Sequence, residues 1–146
     1  KANSRYYPAN GANTLTDGFR GTKDIGKQWH GFSGNDMVAT IDLGTPVLAS
    51  SISLGTIQVW PQWVFFPQLV KFEVSLDGIN FKEIKTVNNT IPVDARDTQI
   101  QDFVAKFPEQ KIKAVRVTAK NLGKCPAGHP GEKQAAWLFV DEIIVE

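Results

Sequence analysis

Trp60, Gln62 and Trp63 fall within four residues of one another, with Phe65 and Phe66 close behind and Pro61 and Pro67 stiffening the stretch. This mixture suits docking of a sugar ring. A sugar offers one face of C–H groups, which a flat indole can cover, and a rim of hydroxyls, which amides and imidazoles can bond. His30 and His129 lie in two other loop-like segments that a β fold could bring to the same end. The candidate ligand-binding residues are therefore Trp60, Trp63, Gln62, His30 and His129. Plain structural roles compete with this reading. Some aromatics must fill a core, and Phe65 or Phe66 and Trp137 are assigned there. Trp60 and Trp63 are open to both readings, whereas the two histidines fit simple loop positions better than a binding role. Bond-making chemistry finds less support. Asp141 and Glu142 are adjacent, whereas glycosidases use two acids about 5–9 Å apart, and neighbours on a strand point to opposite faces. No Ser-His-Asp spacing, CxxC pair, HExxH or phosphate loop occurs. The domain reads as non-catalytic.

The elements that would position these residues are strands. Val70, Phe72 and Val74 alternate with Lys71, Glu73 and Ser75, a half-buried strand pattern. Asp77-Gly78 then signals a hairpin, and Asn80-Phe81 opens its second arm. Alternation also predicts strands over residues 37–43, closed by Gly44-Thr45-Pro46, over 50–60, over 113–120 and over 137–145. Gly55 inside the second of these predicts a bulge or a close backbone approach. Residues 94–106 have partly helical spacing but are assigned to a strand closed by Pro108, and residues 29–32 to a short strand. Residues 1–35 are otherwise loop-like, and 121–134 form a long Gly/Pro loop. Short, evenly spaced strands without a convincing amphipathic helix predict an all-β sandwich.

The totals agree with one domain over residues 1–146. The chain is 42% hydrophobic and 21% charged, as expected for a globular protein. Sixteen basic against fifteen acidic residues leave a net charge of +1, which provides no electrostatic footprint for nucleic acid. No run approaches the roughly 20 apolar residues of a membrane helix. Cys125 is the single cysteine, so no internal disulfide can form. The polar start without Met suggests a piece excised from a larger protein.

An ordered set of motifs resembles a known family. Leu15-Thr16-Asp17-Gly18 precedes Trp29, followed by Ile41-Asp42-Leu43-Gly44, then Phe72 to Gly78 (FEVSLDG), Ala114 to Thr118 (AVRVT) and Asp141 to Val145 (DEIIV). The order resembles the discoidin, or coagulation factor 5/8 type C, domain, whose bacterial members include family-32 carbohydrate-binding modules. The wording of Trp29-His30-Gly31-Phe32, Trp63 to Pro67 (WVFFP) and Ala136 to Ile143 (AWLFVDEI) is similar to modules at the C-terminus of Bacteroides family-20 glycoside hydrolases, the β-N-acetylhexosaminidases or chitobiases.

That resemblance implies an eight-stranded jelly-roll sandwich of the galactose-binding-domain-like kind. It also implies sugar binding through loops at one end and a structural calcium. Calcium takes six to eight oxygens, many from loop carbonyls. In the family an acid in the first loop and one on the last strand help hold it. Here these match Asp17 and Glu142, with the Phe19 carbonyl nearby and Arg20 opposing a cation. The family's sugar-site arginine has no counterpart before the Val70 strand, where Gln58, Gln62 and Gln68 stand instead. The expected function is a non-catalytic carbohydrate-binding accessory module of a secreted, periplasmic or cell-surface bacterial hydrolase, with glycan and the parent catalytic domain as partners. The rival expectation is an interaction module whose aromatic patch packs against that catalytic domain.

Overall fold

The computed structural model describes residues 20–26 and 28–146. Among the described residues six strands follow in order: β1 (His30–Ser33), β2 (Met37–Gln58), β3 (Leu69–Ser75), β4 (Lys82–Asn88), β5 (Gln99–Ala119) and β6 (Trp137–Val145). They form one antiparallel sheet in the order β1-β6-β2-β5-β3-β4. Among the described residues there is no α-helix, only a 3-10 turn at Trp60–Gln62.

The long strands β2 and β5 fold this sheet over on itself. The first part of β2, from Met37 to Asp42, pairs with the last part of β5, from Ala114 to Ala119, and β3 and β4 extend that layer. The last part of β2, from Ser51 to Gln58, pairs with the first part of β5 and, on its other side, with β6, which carries β1. Each long strand therefore serves both layers, and six strands supply eight strand segments. One core lies between the layers. It joins Met37, Val70, Phe72, Val115 and Val117 from one side to Ile52, Leu54, Phe103, Leu138 and Val140 from the other. The architecture is the all-β sandwich expected from the alternation.

Two boundaries differ from the sequence reading. The strand over 37–43 does not stop at Gly44-Thr45-Pro46, and the strand over 94–106 starts later and runs on past Pro108. The β2–β5 ladder skips between Asp42 and Val47 and again where Ala49 and Ser51 face Gln110 and Lys106. Pro46 falls in the first gap and Pro108 opposite the second. A proline that owes no ladder hydrogen bond does not end a strand. These irregular stretches are the corners at which the chain passes from one layer to the other.

Gly55 behaves as its sequence position predicts. The β2–β6 register shifts between Leu54 and Thr56, where two residues of β6, Asp141 and Glu142, face the single Gly55. A Cβ on Gly55 would collide with the Asp141 carboxylate. Asp141 is fully buried and accepts from Arg20 Nε at 3.0 Å, from the Gly21 N–H at 2.8 Å and from the Glu142 N–H. The bulge interrupts simple alternation at Asp141-Glu142. What removes Asp141 from any substrate-facing role is this set of bonds, which ties residues 20–21 to β6.

Candidate functional site

The aromatic stretch is a closed loop at the end of β2. Val59 and Val64 form an antiparallel bridge, with Val59 N–H to Val64 O at 2.8 Å and the reverse bond at 3.2 Å. Within it, Gln62 N–H bonds Val59 O and Trp63 N–H bonds Trp60 O. Pro61 supplies the fixed φ that a first-turn position favours. Trp63 closes the turn at φ 67°, a left-handed conformation that a bulky residue adopts at a cost of about 1–3 kcal/mol. The strain is held by neighbours. The Trp137 N–H donates to Trp63 O at 2.8 Å, stapling the loop to the start of β6.

Beneath the loop sits His129. Its ring lies 4.4 Å from the Trp60 ring centroid, 6.2 Å from Trp63 and 5.4 Å from Phe65, all edge-on. Nδ1 accepts from the Gly131 N–H at 2.9 Å, so Nε2 carries the proton and donates to Trp60 O at 2.7 Å. His129 is 4% exposed with both nitrogens used. It is a pillar under the indoles, not a rim group. Gly131 lies so close to Trp63 that a Cβ there would stand 2.7 Å from the indole. Trp60 and Trp63 pack on Phe65, Cys125 and Ala136 but remain partly exposed, and Gln62 is exposed at the turn. Phe65 and Phe66 are both core residues, at 1% and 2% exposed. Trp137 is partly buried and stands edge-on to Phe139. Burial raises the Cys125 thiol above its ordinary value.

His30 is placed elsewhere. It lies on β1 opposite Val140, its ring 5.2 Å from Phe32, and among the described residues neither ring nitrogen has a hydrogen-bond partner. Burial lowers its pKa below the usual imidazole value. The structure thus gathers Trp60, Trp63, Gln62 and His129 at one loop, while the recorded ring contact of His30 is in the layer formed by β1 and β6. Of the expected calcium residues, Asp17 and Phe19 lie outside the described residues. Glu142 is on β6 at the bulge and 6% exposed. Among the described residues no cluster of three His, Cys, Asp or Glu side chains could hold a metal ion.

The sequence reading missed Arg96. Its guanidinium lies 3.9 Å over the Trp60 ring, a cation–π contact from the loop between β4 and β5. Gln58 holds that loop in place. Its side chain is fully buried, donates to Pro92 O and Ala95 O at 3.2 Å each, and accepts from the Phe66 N–H at 3.2 Å. One glutamine therefore sets both the Arg96 loop and the start of the Phe66-Pro67 segment. A basic, hydrogen-bonding group thus stands beside the indoles, where the local sequence offered only glutamines.

Comparison with known proteins decides the family. The profile of the F5/8 type C domain matches residues 1–137. This chain is an F5/8 type C domain. The family is one of non-catalytic binding modules, in keeping with an Asp141 committed to structure. No curated protein sequence matches the domain. Solved structures share its fold. The GH89CBM32-5 module of Clostridium perfringens, in complex with GalNAc-β-1,3-galactose, is 16% identical with a TM-score of 0.54, over 92% of this chain and 81% of that one. The C-terminal domain of a chitobiase from Bacteroides fragilis is 17% identical with a TM-score of 0.51, over 92% and 78%. A Ruminococcus gnavus GH29 fucosidase in complex with fucose is 13% identical with a TM-score of 0.57. This F5/8 type C domain covers 21% of that fucosidase, with 92% of its own length aligned. No helix of the described residues is long and apolar enough to cross a membrane.

Proposed function

We propose that this F5/8 type C domain is a carbohydrate-binding accessory module of a glycoside hydrolase, and that glycan docks on the Trp60–Trp63 loop. The observation that carries the reading is a pair of partly exposed indoles locked on a closed loop, over His129 and beside Arg96. The disaccharide bound by the C. perfringens module supports the ligand class, and the R. gnavus fucosidase and the B. fragilis chitobiase support a glycoside-hydrolase parent, the latter one of the β-N-acetylhexosaminidase kind. Such a parent would place the domain in the periplasm, at the cell surface or outside the cell.

The ring of a sugar would stack on an indole face while Gln62 and Arg96 bond its hydroxyls. Because Arg96 covers one face of Trp60, docking on that face requires the guanidinium to slide aside or to become part of the hydroxyl rim. The loop is already ordered, so little conformational entropy is lost on binding. One sugar on an open shelf should bind with Kd of roughly 0.1–1 mM, about −4 to −5.5 kcal/mol. Tethering to a catalytic domain would then raise local substrate concentration.

Glu142 fits a calcium ligand in chemistry, being a nearly buried carboxylate on the last strand. In this proposal it shares the ion with Asp17 and the Phe19 carbonyl, pinning the first loop to β6. The ion would supply structural cross-linking only.

A glycan array probed with the isolated domain tests the sugar reading. Specific binding that Trp60→Ala or Trp63→Ala abolishes, with far-UV circular dichroism unchanged, supports it. Binding to no glycan, together with retention of the domain by its parent's catalytic domain through the same indoles, would establish the rival reading of an interaction module.

A further inference from the structure

The end of the sandwich opposite the indoles carries a concave surface. β3 leaves the aromatic end at Leu69 and reaches Ser75 about 20 Å further on, at a rise of about 3.3 Å per residue. There the hairpin tip between β3 and β4 closes on the corner of β5. Val74, Leu76, Phe81 and Ile112 form the apolar part of an open groove of about 650 Å³, with Lys82 and Lys111 also lining it.

The tip is rigid. Asp77 accepts from Ser75 Oγ, from the N–H groups of Ile79 and Asn80 and from Asn80 Nδ2, all between 2.7 and 2.9 Å. Gly78 takes φ 80°, which the turn requires. Arg116 lies 4.0 Å over the Phe81 ring and fixes it from one side. On this rigid frame stand aliphatic side chains that the fold does not bury: Leu76 is 64% exposed, Ile79 80% and Leu48 61%. Leu48 pairs with Lys111 across the β2–β5 ladder, so it stands next to the groove.

The charge around the groove is unbalanced. The Asp77 carboxylate also lines the groove; its bonds, led by the Asn80 N–H, hold its pKa well below the usual carboxylate range, so it stays ionised, turned into the hairpin, and offsets one of the two lysine charges, leaving the groove positive. Among the described residues neither Lys82 nor Lys111 has an ion-pair partner; the lysine pairs formed are Lys71–Glu73 and Lys113–Asp42. The aliphatic lip offers hydroxyls no partner, so a sugar fits poorly there. A polypeptide segment with Leu, Ile or Val beside Asp or Glu satisfies both the lip and the ammonium groups.

We propose that this hairpin end is a docking surface for an acidic, aliphatic polypeptide segment, separate from the indole loop. The domain then has a glycan-facing end and a protein-facing end about a strand length apart. The surface stands whether or not the indole loop binds sugar.

A random dodecapeptide phage library panned against the intact domain tests this. The expected winners combine aliphatic residues with at least two acids. A synthetic winner should shift the backbone amides of residues 74–82 and 110–112 in NMR titration. The double variants Lys82→Glu with Lys111→Glu, and Leu76→Ser with Ile79→Ser, should each weaken it about tenfold or more; all four side chains lie outside the core, so the variants should fold. Winners lacking acids, shifts confined to the Trp60–Trp63 loop, or no enrichment at all would overturn the proposal. The same amides shifting on concentration of the domain alone would replace the peptide by a second copy. The same shifts with trigalacturonate, and none with peptide, would replace it by an acidic glycan.

Discussion

Replacing Gln58 by leucine should loosen two loops at once. The side chain is fully buried and near leucine in volume, so the change removes polar contacts without leaving a large void. Three bonds disappear: two donated to Pro92 O and Ala95 O, and one accepted from the Phe66 N–H. At about 1 kcal/mol each, the lost bonds amount to about 3 kcal/mol. The Phe66 N–H is left buried without an acceptor, which adds about 1 kcal/mol or more, while the added apolar burial returns a similar amount. The net expectation is a loss of about 3 kcal/mol. For a domain of this size that lowers Tm by roughly 10 °C. Urea unfolding followed by tryptophan fluorescence measures the loss, and hydrogen exchange should show residues 89–98 opening ahead of the rest. Because Arg96 rides on that loop, ligand affinity should also fall even if Trp60 and Trp63 are untouched. A Gln58→Leu variant within 0.5 kcal/mol of the parent, with residues 89–98 equally protected, would refute the view that this amide organises the site.

Gly55→Ala should destabilise by about 3–5 kcal/mol, because the new methyl displaces the buried Asp141 carboxylate from Arg20 and Gly21; chemical denaturation measures this, and a near-neutral result would remove Asp141 as a hub. Burial lowers the His30 pKa, so the folded state disfavours protonation: stability is complete above about pH 6.5 and declines as pH falls below it. His30→Phe should flatten that decline in Tm between pH 7 and 5; an unchanged slope would place the titration elsewhere. Saturating calcium at 100 times Kd should add about 2.7 kcal/mol of stability, and Glu142→Gln should abolish the gain. A Tm indifferent to both calcium and chelator would remove the metal proposal. Cys125 should resist thiol reagents until the domain unfolds, because its sulfur is buried and its thiolate disfavoured.

The sandwich was legible because segments such as β3 alternate and the others are short, β-branched runs bounded by turn residues. β6 runs from Trp137 to Val145 as read, and the Asp77-Gly78 turn joins β3 to β4. Gly55 announced the bulge because a small residue inside a β-branched run has few other reasons to be there. Pro46 and Pro108 misled, since a proline's missing N–H ends a strand only where the ladder asks for that bond. The indole loop was visible as composition alone. Its supports were not, because Gln58 to Ala95 and Trp60 to Arg96 are contacts across 37 and 36 residues that no local pattern encodes. His129 and His30 looked alike in sequence. The difference between a bonded pillar and a buried ring packed against Phe32 arises only when the loops around residues 60 and 129 meet.

The most direct test is an NMR titration of the domain with N-acetylglucosamine and N-acetylgalactosamine oligosaccharides, watching the four indole Nε1–H resonances. Saturable shifts of the Trp60 and Trp63 signals, with those of Trp29 and Trp137 unmoved, are the predicted outcome. Saturable binding that leaves the Trp60 and Trp63 signals in place would contradict the account, because the sugar would then be docking somewhere other than the indole loop.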